Sequence, residues 1–158
     1  WTYLRFTPEG GEKVDIDDLE SLDSMDWHIA FKRYEIRLNS GTSGPSCVGA
    51  ATVDGDFEAV TEAAPGTVFY GEDFFDDSCN IITDDKGLGG ADVALGPWWA
   101  YNGCVTTTGQ VFLVELDTGA VVKLVVDAYY AEGQDTCNTS GTMGSGSANL
   151  SLRWAFVQ

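Results

Sequence analysis

The stretch Val111–Tyr130, VFLVELDTGAVVKLVVDAYY, decides the fold. Two runs rich in β-branched residues, 111–116 and 120–130, flank Asp117-Thr118-Gly119. Apolar runs of this length around a glycine-containing turn form a β-hairpin. Working outward, SANLSLRWAFV (147–157) places Ala148, Leu150, Leu152, Trp154 and Phe156 in alternation with Asn149, Ser151, Arg153 and Ala155. Period two predicts a strand with one face buried. The opening WTYLRF also reads as a strand, and DIDDLESLDS (15–24) as a short helical turn, because Asp and Ser suit helix starts.

The stretch WHIAFKRYEIRL (27–38) changes parity part-way. Trp27, Ile29 and Phe31 share one face, and Tyr34, Ile36 and Leu38 fall on the other parity. A strand exchanges its apolar face only through a bulge, a break or a move between sheets, so an irregularity is expected near 32–33. His28, the only histidine, then points away from the Trp27/Ile29/Phe31 face. It is expected to be exposed or to make a single hydrogen bond.

Glycine-rich and acidic stretches fill 39–49, 71–97 and 132–147, and these read as loops. The segment 71–96 has almost no periodicity. A loop that long within one domain carries function or hides short strands. The length of 158 residues fits one domain, and 44% hydrophobic content with 12% aromatic provides for a packed core. Strand signals dominate, and the length predicts a single domain over 1–158 with long irregular loops.

Twenty-five acidic residues against eight basic ones give a net charge of −17. A nucleic-acid partner would require the opposite sign. No apolar run approaches the ~20 residues that cross a bilayer. The chain shows no charged-then-apolar leader, so a targeting segment is expected to lie upstream or to have been removed. The cysteines at 47, 79, 104 and 137 all lie beside turn-forming residues, and none forms a C-x-x-C pair. An even count in such loops predicts two disulfides and an oxidising compartment. Four cysteines allow three pairings; the one favoured is Cys79–Cys104 with Cys47–Cys137, the first bracketing the long irregular segment.

Read in order, WTYLRF, DWHIAFKRYEIRLNSGTSGPSCVGAA, FEAVTEAAPGTVF, VFLVELDTGAVVKLVVDAYY and ANLSLRWAFV resemble the HmuY family. There, a W-D-I-A-F-x-R strand leads into R-x-N-x-G-x-S-G, matched by Trp27–Arg33 and by Arg37, Asn39, Gly41, Ser43 and Gly44. A late G-x-x-x-K strand is matched by Gly119 and Lys123. The resemblance covers about two thirds of the chain. It implies an all-β domain of many antiparallel strands, and a haemophore-like haem-binding protein of the bacterial surface, lipid-anchored or secreted. It also implies axial histidines or methionines from the middle region, corresponding to about 70–105 here.

That region holds neither residue type. His28 stands where the family strand has aspartate. The remaining candidate haem contacts are Tyr70, Tyr101 and Met143, with His28 as a further donor, since tyrosine, histidine and methionine all bind haem iron. Trp98 and Trp99 in PWWAYNG cannot both face one side of a regular strand. One is expected in the core, and the other is free to stack on a flat ligand. The acidic GEDFFDDSCNIITDD offers Glu72, Asp73, Asp76, Asp77, Asp84 and Asp85 as a calcium site, although the EF-hand spacing is absent. A Ser/His/Asp arrangement would have to use His28, and no strand-Ser-helix elbow is present. Two functions follow. One is non-catalytic capture of haem or a related tetrapyrrole, with an outer-membrane protein as a possible partner. The other is a structural or adhesive surface module binding glycan, calcium or protein.

Overall fold

The computed structural model describes residues 1–158. Strands β1 (Thr2–Thr7), β2 (Gly10–Val14), β3 (Ile29–Lys32) and β4 (Glu35–Leu38) form one sheet in the order β2-β1-β3-β4. A second sheet has the order β10-β9-β8-β5, from β5 (Gly49–Val53), β8 (Val111–Glu115), β9 (Val121–Glu132) and β10 (Ser145–Val157). A small pair, β6 (Trp99–Tyr101) and β7 (Val105–Thr107), lies beside them. All pairings are antiparallel.

The expected hairpin is β8–β9, with Val111 opposite Val125 and Glu115 opposite Val121. Its apolar run does not alternate because both faces are covered. Phe112 and Val114 meet Ile29, Ile36 and Leu38 of the first sheet in the main core. Val111 and Leu113 pack with Val60 on the opposite face, where Phe57 and Ala63 also sit. Phe6 and Trp154, with ring centroids 4.8 Å apart, join the first sheet to β10.

The parity change has a simple cause. Strands β3 and β4 form a tight hairpin, with Lys32 opposite Glu35 and Phe31 opposite Ile36. Each pair joins an odd to an even number, so one continuous face carries Ile29 and Phe31 on β3 and Ile36 and Leu38 on β4. Arg33 makes the turn at φ 56°, in the left-handed region.

Outside the two main sheets, one loop expectation is corrected, that for 132–147, and the short helical turn and the hidden short strands are found. Only Glu20–Leu22 of the 15–24 stretch is helical, a single 3₁₀ turn whose first N–H groups are met by Asp17 Oδ1. The 132–147 stretch contains α1 (Gln134–Ser140), bounded by Gly133 at φ 85° and Gly141 at φ 68°, and it also starts β10. The central segment hides short pairings, Phe75 with Ile81 and Thr83 with Ala91.

The disulfide pairing is also corrected. Cys104 bonds Cys137, while Cys47 and Cys79 are free and exposed. The unforeseen helix α1 carries Cys137 into the core, where Cys104 is likewise fully buried.

Candidate functional site

The largest concavity, ≈ 680 Å³, lies where the central segment runs past the free edge of β5. Tyr70 pairs with Ala50 through two backbone hydrogen bonds of 2.9 Å, extending the sheet by one residue. Ala50, Val68, Ile82 and Val93 give the cleft apolar walls, and Tyr70, Glu72, Asp73 and Asp92 give it oxygen atoms. Its size falls within the range of small-molecule sites, roughly 300–1,000 Å³.

The R-x-N-x-G-x-S-G motif lies behind the cleft and meets its lining at Glu72. Asn39 is fully buried and donates through Nδ2 to the Ser24 and Trp27 carbonyls, while its Oδ1 accepts from Ser46 N–H. Gly41, at φ 54°, passes so close to the central segment that a Cβ would collide with the Glu72 carbonyl oxygen. Arg37 is buried, donates to Tyr3 Oη at 3.2 Å and Ser21 Oγ at 3.0 Å, and lies over the rings of Trp1, Trp27 and Phe74 at 4.8, 5.0 and 5.2 Å. This aromatic cage compensates its charge where no carboxylate pairs with it.

Glu72 joins the motif to the cleft. Its Oε1 accepts from Ser43 Oγ (3.0 Å) and Leu38 N–H (3.2 Å), and its Oε2 from Ala94 N–H (3.1 Å). The carboxyl is 3% exposed. Burial pushes its pKa up to about 7, against the opposing pull of these donors and of Arg37. Sequence reasoning placed Glu72 among calcium ligands and missed this role, because the signal lies in contacts between distant segments.

The calcium expectation is corrected. No group of three or more His, Cys, Asp or Glu side chains is placed to hold a metal ion. The carboxylates are committed locally or diverge. Glu72 binds backbone donors, and Asp76 Oδ1 accepts from the Ser78 and Asn80 N–H groups in a tight turn. Asp84 Oδ1 accepts from Lys86 N–H, and Asp73, Asp77 and Asp85 face solvent.

Among the other sequence candidates, only Tyr70 lines the cleft, and it is 66% exposed. Trp98 and Trp99 are both in the core, at 1% and 3% exposure, which corrects the expectation of one free platform. No regular strand constrains them: Trp98 ends a 3₁₀ turn and Trp99 begins β6. Trp98 Nε1 donates to the Tyr34 carbonyl, and Lys86 Nζ lies 4.2 Å from the Trp99 ring centroid. Lys86 also donates to the Gly96 and Trp99 carbonyls, so the only cation of the segment is held internally. Tyr101 is 47% exposed on β6 and Met143 63% exposed before β10, and neither lines the cleft.

His28 is buried, which corrects the expectation of exposure. Its Nδ1 accepts from Phe6 N–H at 3.0 Å, and its Nε2 faces Asp117 Oδ1 at 3.3 Å. Both ring nitrogens are thus engaged, joining β1 to the β8–β9 turn. Burial lowers its pKa, and Asp117 opposes the shift.

For haem, the group that the family resemblance implies, the cleft fits in one respect and not another. Tyr70 is its one side chain of a type that serves as an axial ligand, and a tyrosine oxygen suits ferric iron. No Lys or Arg lines the cleft, while the exposed Asp73 and Asp92 do, so its lining offers propionates like charge and no partner.

A second concavity, ≈ 540 Å³, lies between β1, the β3–β4 turn and β10. It is more apolar and contains no carboxylate.

A search of curated proteins finds no sequence match. Three solved structures are similar over nearly the whole chain. A candidate HmuY-like heme-binding protein from Bacteroides vulgatus ATCC 8482 has a TM-score of 0.60 at 18% identity, covering 98% of this chain and 83% of that one. The apo HmuY analogue of Tannerella forsythia has a TM-score of 0.58 at 16% identity, covering 99% and 79%. A candidate lipoprotein from Bacteroides fragilis NCTC 9343 has a TM-score of 0.55 at 13% identity, covering 98% and 82%. At these identities the likeness establishes the fold. The family model described as HmuY protein matches residues 1–141, and the chain belongs to the HmuY family.

Proposed function

We propose that this protein is a non-catalytic, extracytoplasmic binding protein for haem or a related tetrapyrrole, using the cleft beside β5. The observation that carries the reading is Tyr70, an exposed side chain of a type that can bind ferric iron, set among apolar walls in the central segment. A bound haem supplies the iron that a tyrosine oxygen can bind. The chain supplies the rest. Ala50, Val68 and Val93 exclude water from an apolar face, and the Ala50–Tyr70 backbone pairing fixes where the phenol emerges. Glu72 holds the lining in place. The absence of a cation at the mouth leaves iron and apolar contact to provide the affinity. The buried Cys104–Cys137 bond supports an oxidising, extracytoplasmic setting, where an outer-membrane protein would receive the ligand.

Titrating the purified protein with haemin tests this. A Soret-band shift saturating at one haemin per chain is expected. A change that never saturates would remove the proposal.

A further inference from the structure

The cleft beside β5 carries charge of one sign only. Asp73 and Asp92 line it, both are exposed, and neither joins an ion pair. The backbone that bears them is anchored. Asp92 N–H donates to the Ile82 carbonyl at 2.8 Å. On either side of Asp73, Glu72 N–H donates to Ser40 Oγ at 3.0 Å and Phe75 N–H to Thr42 Oγ1 at 2.8 Å.

Two cations bear on this lining, and neither is free to meet a ligand. Arg37, which attracts Glu72, is enclosed by its aromatic cage and donates to Tyr3 and Ser21. Lys86, which attracts Asp92, has its Nζ on the Gly96 and Trp99 carbonyls and over the Trp99 ring. Glu72 turns its own oxygens to Leu38, Ser43 and Ala94. A carboxylate brought into the cleft therefore meets two like charges and no free donor of positive charge, in a chain whose net charge is already −17.

We propose that Asp73 and Asp92 set the specificity of the cleft by excluding ionised carboxylates, so that it ranks ferric tetrapyrroles in inverse order of their carboxylate number. This inference rests on the tetrapyrrole reading of the cleft. The apolar walls and Tyr70 accept the ring and its iron whatever the ring's substituents, and the two aspartates discriminate among the substituents.

Three ferric porphyrins of graded charge test this on the whole chain: coprohaem with four carboxylates, haemin with two, and haemin dimethyl ester with none. At low salt Kd should fall along the series by about fivefold per step, the size of effect that a few exposed charge contacts produce. In 1 M salt, where charges are screened within about 3 Å, the steps should shrink. Asp73→Asn/Asp92→Asn should flatten the series. Asp15→Asn/Asp23→Asn changes the net charge equally at exposed positions outside the cleft and should preserve it. This control separates a local filter from the field of the whole chain and from the greater apolarity of the ester. Equal affinities in wild type, tighter binding of coprohaem, steps that ignore salt, or equal responses of the two double variants would overturn the filter and leave the tetrapyrrole reading standing. Saturation by none of the three porphyrins would remove that reading, and the filter with it.

Discussion

Ser43 Oγ donates a hydrogen bond to Glu72 Oε1 at 3.0 Å across 29 residues of sequence. This contact fastens the glycine-rich turn after β4 to Glu72 in the cleft lining. With Leu38 and Ala94 donating to the same carboxyl, three separate segments converge on one buried acid.

That acid makes stability depend on pH. Its pKa is about 7 in the folded protein against an ordinary value of 4.5, so between these values the folded state holds a proton that the unfolded state has released. The contribution is fully present below pH 4.5 and is lost as pH rises through 7, by about 3 kcal/mol at most. Glu72→Gln removes the titration. The stability of this variant relative to wild type, from denaturant unfolding, should therefore be more favourable at pH 8 than at pH 5. An identical difference at both values would contradict the assignment.

His28 behaves in the opposite sense. Burial lowers its pKa from 6.5, so the unfolded state takes up a proton before the folded state does, and acidification below 6.5 costs stability. As the only histidine, it gives a single imidazole signal by NMR. The midpoint should lie below 6.5, and Asp117→Asn should lower it further by removing the charge that favours protonation. A midpoint that does not respond to the substitution would show that the Nε2–Asp117 contact is not formed.

Gly41→Ala should destabilise the protein by more than 1 kcal/mol. The residue sits at φ 54°, where a side chain is strained, and a Cβ would collide with the Glu72 carbonyl. Gly119→Ala is the control. It shares a positive φ, 80°, but has open space around it, so it should cost less. Thermal melts of the two variants decide this, and equal losses would contradict the close approach.

How far the chain could be read follows from where the signals lie. The β8–β9 hairpin was legible because burial on both faces leaves a continuous β-branched run. The parity change at 32–33 was legible too, although its cause was a hairpin turn. Helix α1 was not. Its seven residues, QDTCNTS, carry no apolar stripe, and the helix is held by flanking glycines and by the buried Cys137. The expected cysteine pairing rested on Cys79 and Cys104 bracketing the irregular segment, whereas α1 brings Cys137 to Cys104. Donor chemistry named Tyr70 together with Tyr101, Met143 and His28, and only the folded chain puts Tyr70 alone of these in the cleft. The anchoring role of Glu72 could not be read, because its partners at 38, 43 and 94 become neighbours only on folding.

The cysteine assignment has a direct test. A chromogenic thiol reagent should count two thiols in the native protein, two after unfolding without reductant, and four after reduction. Cys104→Ser/Cys137→Ser should lower stability by about 4 kcal/mol in the chain-entropy picture. Fewer than two native thiols, or a double variant with wild-type stability, would contradict the pairing.

The central claim is that the cleft beside β5 receives a tetrapyrrole through Tyr70. Haemin titrations followed by absorbance, run in parallel on wild type, Tyr70→Phe and Tyr101→Phe, test it most directly. The account predicts saturation at one haemin per chain for wild type and Tyr101→Phe, with the iron-dependent band shift lost in Tyr70→Phe. Three superimposable titrations, or loss confined to Tyr101→Phe, would contradict it.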